Sequence, residues 1–105
     1  MDYQLFINGE WVNGSETTPV YNKYNDQIIG TLPIVNQDQL DQAIAAAERA
    51  ASVMADMPSY KRAAILFRTA ELLKERKEDI AKTIAAEAGK ALKFARIEVD
   101  RAIST

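Results

Sequence analysis

An α+β segment, two N-terminal β-hairpins followed by about four α-helices, is what this 105-residue sequence predicts. Three observations predict it. Asn8-Gly9 sits between two short apolar runs, and that dipeptide tolerates the positive φ which a type I′ hairpin turn demands at both positions. From Leu40 onward the apolar residues recur at three- and four-residue spacing, the signature of a helix face. Pro58, the charged run Lys74–Asp79 and Gly89 then punctuate the helical stretch into separate pieces. The division falls at residues 1–33 for the hairpins and 34–105 for the helices.

Leu5-Phe6-Ile7 and Glu10-Trp11-Val12 are the strands of the first hairpin, and Asn13-Gly14 marks its exit. Thr18 to Tyr21 and Gln27 to Leu32 form the second, with Asn25-Asp26 as the turn. Pro19 and Pro33 cannot donate to a ladder, so they belong at strand edges or ends. Gly9 and Gly14 both read as turn residues. Two hairpins alone are marginal in water and need something to pack against.

The first helix opens at Asn36, an N-cap with Gln39 three residues on, a variant of the capping box. Leu40, Ile44, Ala47, Ala51 and Met54 share one of its faces. Ser59 is expected to cap a second helix, with Ile65, Leu66, Thr69, Leu72 and Leu73 as its buried stripe. A kink or short break is expected within KERKED, Lys74 to Asp79, where basic residues suit one helix end and acidic residues the next beginning. Ile80, Ile84 and Ala88 lead to Gly89, the residue type preferred just past a helix end. The last helix begins near Lys90 or Ala91 with Leu92, Ala95, Val99 and Ala102 inward. It has no stop signal at RAIST, which reads as an element cut midway and hence an incomplete domain.

Composition excludes more chemistry than it offers. The formal net charge is −2, from 13 basic and 15 acidic residues, so there is no basic face for nucleic acid. No apolar run reaches the roughly 18 residues that span a bilayer, and MDYQLF is not a signal peptide. A cytoplasmic chain is therefore expected. The sequence contains no Cys and no His, which removes thiol chemistry, imidazole bases and the usual zinc ligands. Gly9, Gly14, Gly30 and Gly89 are the four glycines, and none combine into a phosphate-cradling loop. Glu71, Glu75, Glu78 and Asp79 lack calcium-loop spacing and read as a solvated helix face. Trp11, Tyr21 and Tyr24 read as hairpin packing rather than a binding face. Around Gly89-Lys90 the pairs Glu87/Lys90, Arg96/Asp100 and Glu98/Arg101 fall at helical spacing, where each ion pair contributes about 0.2–0.5 kcal/mol. A solvated face laced with ion pairs is the plainer reading of this cluster, with a ligand-binding role for one basic residue as the alternative.

The stretch LFINGEWV, Leu5 to Val12, resembles the opening hairpin of NAD(P)-dependent aldehyde dehydrogenases. The order that follows also resembles them: Asn22 to Pro33, then DQAIAAAERAA, then KRAAILFRTAELLKERKEDIAKTIAAEAGKALKFARIEVDRAI. Arg62, Leu66, Glu71-Leu72-Leu73, Glu87-x-Gly89-Lys90 and Ala95-Arg96-x-Glu98-Val99 match the family pattern in order and spacing. The helical part is most similar to the lactaldehyde and non-phosphorylating glyceraldehyde-3-phosphate branches. Asn22-Lys23 departs from the family's Asn-Pro, Asp26 stands for a turn Gly, Ala55 lies near an absent Trp, and Ala91 replaces a Pro.

The resemblance implies the N-terminal part of the family's α/β fold. It implies that the catalytic Cys, the general-base Glu, the oxyanion Asn and the NAD or NADP site all belong to other parts of a complete enzyme. There a Cys thiolate attacks an aldehyde, hydride passes to NAD(P)+, and water releases the carboxylic acid. One residue is a substrate candidate by resemblance: Arg101 matches a position near the substrate phosphate in the glyceraldehyde-3-phosphate branch, with pairing to Glu98 as the plainer alternative. The expected partner is the remainder of an aldehyde dehydrogenase polypeptide or another copy of this chain, in a homo-oligomer without nucleic acid or membrane. The chain alone is expected to be inactive. A non-catalytic, self-associating interaction module is the alternative.

Overall fold

Asn8 and Gly9 both adopt positive φ, 53° and 82°, and so close the type I′ turn that their side chains favour. In the computed structural model, which describes residues 2–105, this turn joins β1 (Leu5–Ile7) to β2 (Glu10–Val12). The two strands are antiparallel, with Leu5 opposite Val12, Phe6 opposite Trp11 and Ile7 opposite Glu10. β3 (Glu16–Tyr21) and β4 (Ile28–Ile34) form a second two-stranded sheet. Four helices follow: α1 (Gln37–Asp56), α2 (Ser59–Glu75), α3 (Lys77–Ala88) and α4 (Leu92–Ser104). The elements divide into two compact units, residues 1–20 with 28–57, and residues 21–27 with 58–105.

In the first unit, alternation along the short strands decides what is covered. Leu5, Ile7 and Val12 are half-buried, and β1 lies against α1. Phe6 and Trp11 point the other way, and their rings sit 4.8 Å apart with both residues mostly exposed. Gly14 is not a left-handed turn residue. Its role is close approach: an added Cβ would lie 2.7 Å from the Ile34 carbonyl oxygen and 2.8 Å from the Ile34 nitrogen. Ser15 then donates its N–H to the same Ile34 carbonyl at 3.0 Å. Tyr3 N–H donates to the Thr31 carbonyl at 3.2 Å, tying the N-terminal residues to β4.

The capping box at α1 forms as the spacing predicts. Asn36 Oδ1 accepts from the Gln39 N–H at 2.8 Å, and Gln39 Oε1 accepts from the Asn36 N–H at 3.1 Å. Gln39 does a second task, since its Nε2 donates to the Asn13 carbonyl at 2.8 Å and joins the helix start to the hairpin exit. Past this point α1 presents Ala43, Ala45 and Ala46 as its half-covered residues, and none is fully buried. The apolar stripe does exist, but Leu40, Ile44 and Met54 are open to solvent at 42, 59 and 45%.

In the second unit Ser59 does not cap α2. Pro58 occupies the N-cap with no side-chain bond, and its carbonyl accepts from the Lys61 and Arg62 N–H groups at 3.0 and 3.2 Å. Ser59 stands one position too late, at the first helical residue, where its hydroxyl has no first-turn N–H to face. The expected stripe of α2 also needs correction. Ile65 and Leu66 are 52 and 71% exposed and Thr69 is exposed; Leu72 and Leu73 are half-buried. Apolar residues occupy almost every side of α2 at mid-length, so periodicity alone could not say which side is covered.

The break within KERKED falls at Arg76, whose φ of −101° and ψ of 13° leave the helical region between α2 and α3. Beyond it α3 and α4 pack most closely of any helix pair. Their contact is built on small residues: Ala81, Ala95 and Val99 are the buried apolar side chains, with Ile80, Ile84, Leu92 and Ile103 packed around them. Ala102, expected inward, is exposed. Ile103, four residues after Val99 rather than three, takes that place because four-residue steps keep α4 in line with α3 at this crossing.

Candidate functional site

The stretch from Glu87 to Asp100 turns the chain from α3 into α4, and it is built on a glycine. Gly89 has φ 67° and ψ 18°, the left-handed conformation that ends α3, and its N–H donates to the Ala85 carbonyl at 3.0 Å. The next open carbonyl of α3 is satisfied from a distance. Lys23 N–H donates to the Ala86 carbonyl at 3.1 Å, so the β3–β4 turn caps this helix end. The turn holds its own shape through Asn22, whose Oδ1 accepts from the Tyr24 N–H at 2.9 Å and whose carbonyl accepts from Asp26 at 2.9 Å. Asp26 has φ 56°, a conformation that a short polar side chain tolerates.

The three local ion pairs expected from spacing do not form. The charges pair across the corner instead. Lys77 Nζ meets Asp100 at 2.6 Å, and Arg96 donates from Nε and Nη2 to the two Glu78 carboxylate oxygens at 2.8 and 3.0 Å. Lys90 pairs with Glu98. Two of these links run between α3 and α4 and fasten their antiparallel contact; Lys90–Glu98 holds the connection to α4. The bidentate Arg96 hydrogen bond holds the Glu78 carboxyl below its ordinary range, and the same contact raises Arg96.

Arg101 is exposed and its guanidinium enters no ion pair among the described residues. The expected partner Glu98 is taken by Lys90. Two open depressions lie in this unit. One, of about 260 Å³, lies between α2 and α4 and is lined by Ala63, Leu66, Phe67, Ala70 and Ile103, with the end of the chain at its edge. The other, of about 300 Å³, is bordered by Asn22, Tyr24, Lys82 and Leu92.

This arrangement can orient helices and meet an anion. Among the described residues no cluster of three acidic side chains could hold a metal ion. No helix of the described residues is long and apolar enough to cross a membrane. Gly9 and Gly89 serve turns, and Gly14 serves a strand approach.

The aldehyde dehydrogenase family model matches residues 11–105. The chain belongs to the aldehyde dehydrogenase family. It is 41% identical over 101 residues to a lactaldehyde dehydrogenase of Methanocaldococcus jannaschii, covering 96% of this chain and 22% of that protein. It is 37% identical over 105 residues to a D-glyceraldehyde dehydrogenase (NADP(+)) of Thermoplasma acidophilum, covering 98% of this chain and 21% of that one. Among solved structures, the NADP-dependent glyceraldehyde-3-phosphate dehydrogenase of Bacillus halodurans, complexed with NADP, superposes with a TM-score of 0.96 at 30% identity, over 99% of this chain and 22% of that chain. Aldehyde dehydrogenase 21 of Physcomitrella patens, in complex with its reaction product succinate, gives 0.94 at 38% identity, over 98% and 22%. This aldehyde dehydrogenase chain thus spans about a fifth of the length of the relatives it matches. The α+β order read from sequence is the order these structures share over the matched segment.

Two features of the corner escaped the sequence. Spacing along one helix identifies possible pairs but cannot see a partner on another, so the Lys77–Asp100 and Arg96–Glu78 contacts were invisible. The Lys23 cap is a backbone bond, and a backbone donor has no residue signature. Only the departure from Asn-Pro hinted at it, because a proline there has no N–H to give.

Proposed function

We propose that this chain is the non-catalytic N-terminal layer of an NAD(P)-dependent aldehyde dehydrogenase that oxidises an aldehyde to a carboxylic acid. One observation carries the reading: a sequence that matches the family along residues 11–105 contains neither Cys nor His. The thiolate must then lie on another residue of the complete enzyme, and we place the general-base Glu and the dinucleotide site there with it, where NAD(P)+ serves as the hydride acceptor. The task of this chain is structural. It presents apolar helix faces and the braced α3–α4 corner to the part of the enzyme that carries the chemistry.

The substrate class we assign is a short 2-hydroxyaldehyde. The names of several relatives support it: lactaldehyde, 3-sulfolactaldehyde and D-glyceraldehyde dehydrogenases. Arg101 is the one residue of this chain that we assign to substrate, as a contact for an anionic group on it. It is a surface cation on α4 with no carboxylate of its own, and an anionic substrate would supply one.

The test is an assay of the complete enzyme and of this chain, each with NAD+ or NADP+ and a panel of aldehydes. Turnover of 2-hydroxyaldehydes by the complete enzyme and none by the 105-residue chain is expected. Turnover by the chain alone rejects the reading. Arg101→Ala in the complete enzyme is expected to raise KM at least tenfold for a phosphorylated or sulfonated aldehyde while leaving lactaldehyde unchanged. Equal effects on both remove Arg101 from the site.

A further inference from the structure

Two Asn-Gly pairs lie close together in the chain, Asn8-Gly9 and Asn13-Gly14. Asn-Gly is the dipeptide most open to ring closure, because glycine puts no Cβ in the path of its own nitrogen. Each pair follows a β-branched residue, Ile7 or Val12, so an unstructured chain would treat them alike. The folded chain holds them very differently.

Asn13-Gly14 is locked. Asn13 Oδ1 accepts from Gln4 Nε2 at 3.0 Å, and the Asn13 carbonyl accepts from Gln39 Nε2 at 2.8 Å. Gly14 lies so close to Ile34 that a Cβ would meet its carbonyl oxygen at 2.7 Å, and the Ser15 N–H is bonded to that same oxygen at 3.0 Å. Turning the Asn13–Gly14 peptide breaks the Gln39 bond and pushes against the Ile34 backbone.

Asn8-Gly9 is free to turn. Both residues are exposed, and a Cβ added to Gly9 would meet nothing within 4 Å. Among the described residues neither the Asn8 side chain nor the Gly9 N–H has a hydrogen-bond partner. The φ of Asn8, 53°, suits both of the common two-residue hairpin turns. Type I′ puts ψ of this residue at about +30° and type II′ at about −120°. A flip of the single peptide plane between Asn8 and Gly9 interconverts the two, and the β1–β2 register survives it. At the type II′ value Asn8 Cβ eclipses the Gly9 nitrogen, which brings Cγ within bonding reach of that nitrogen.

We propose that Asn8 is a site of spontaneous deamidation, reached by this peptide flip, and that Asn13 is protected while Gln39 holds its carbonyl. The Gly9 nitrogen gives its proton to solvent base and attacks Asn8 Cγ. The N–Cγ bond forms, the Cγ–Nδ2 bond breaks, and Nδ2 leaves as ammonia with a proton from water. Water then opens the five-membered imide. Opening at Cγ leaves an aspartate, which still suits the turn. Opening at the Asn8 backbone carbonyl carbon leaves an isoaspartate, whose main chain runs through the former side chain. That extra backbone atom takes Leu5 and Phe6 out of register with Val12 and Trp11, and loosens β1 from α1.

The test incubates the 105-residue chain at mildly alkaline pH, in native buffer and in concentrated urea. Cleavage at Glu10 then places the two pairs on separate peptides, and mass spectrometry reads the conversion of each amide to acid. In native buffer Asn8 is expected to convert at least tenfold faster than Asn13. In urea the two rates should agree within a factor of two. Gln39→Ala is expected to speed Asn13 at least fivefold in native buffer and leave Asn8 unchanged. Asn8→Gln should abolish the early isoaspartate signal, because the longer side chain closes its ring far more slowly. Equal native rates overturn the proposal, as does an Asn8 that converts only in urea. An Asn13 rate that ignores Gln39→Ala removes the lock, and the selectivity argued from it fails.

Discussion

Gln39 shows how much one side chain can carry. Its Oε1 closes the capping box and its Nε2 reaches the Asn13 carbonyl, so both ends of the amide are used. Gln39→Glu keeps the acceptor and loses the donor, placing a carboxylate against a carbonyl oxygen. We expect about 1–2 kcal/mol of lost stability, read as faster amide exchange in the first turn of α1 and at Asn13. Lys23 is a second case. Lys23→Pro deletes the N–H that caps Ala86 and costs about 1 kcal/mol, measurable by urea titration of the α3–α4 signals. The capping box was legible because Asn-x-x-Gln is a local pattern. The bonds to Asn13 and Ala86 were not, because they join residues 26 positions apart in one case and strand turn to helix end in the other.

The Glu78–Arg96 pair makes a pH prediction at the same scale. Its folded-state carboxyl is held below the ordinary value of 4.5, so the unfolded chain binds a proton more readily. The stabilisation is therefore present above pH 4.5 and fades as pH falls through the lowered value. Glu78→Gln should flatten the acid limb of a stability–pH curve and leave the neutral region little changed, and added salt should blunt the difference because the pair is at the surface. An unchanged acid limb in that variant would assign the acid sensitivity elsewhere.

At the scale of elements, the α3–α4 pair is held by small residues in contact and by charges around the rim. Ala95 is fully buried where the two helices meet. Ala95→Leu inserts volume where the helices leave none, and should cost about 1–3 kcal/mol, seen as a lower denaturant midpoint for the helical signal. Lys77→Ala removes only a rim contact and should cost far less. Element type and order were readable because Asn8-Gly9, Pro58 and Gly89 are strong punctuation and the apolar residues between them are periodic. Coverage of the helices was not readable. Periodicity shows that Ile44, Ile65 and Leu66 share faces with other apolar residues, yet a face says nothing of its cover until its neighbour is known. Ser59 was misplaced by one residue for a similar reason: a cap is defined by backbone geometry, and Pro58 fixed that geometry first.

For the molecule as a whole, the proposed layer reading gives the exposed stripes and the absence of Cys and His one explanation. The chain matches the family over residues 11–105 and spans about a fifth of its relatives' length. Its buried apolar side chains among the described residues are two alanines and a valine, and its larger apolar side chains are half-buried or exposed. The isolated chain should therefore bind hydrophobic dyes strongly, and should lose that binding when complemented by the rest of an aldehyde dehydrogenase.

Calorimetry of the isolated chain at low concentration tests this most directly. A self-sufficient domain of 105 residues would absorb about 70 kcal/mol in one sharp transition near its midpoint. The layer reading predicts a broad transition with a small fraction of that heat, sharpening when the remainder of the enzyme is added. A single cooperative peak of full enthalpy from a monomeric chain would contradict it.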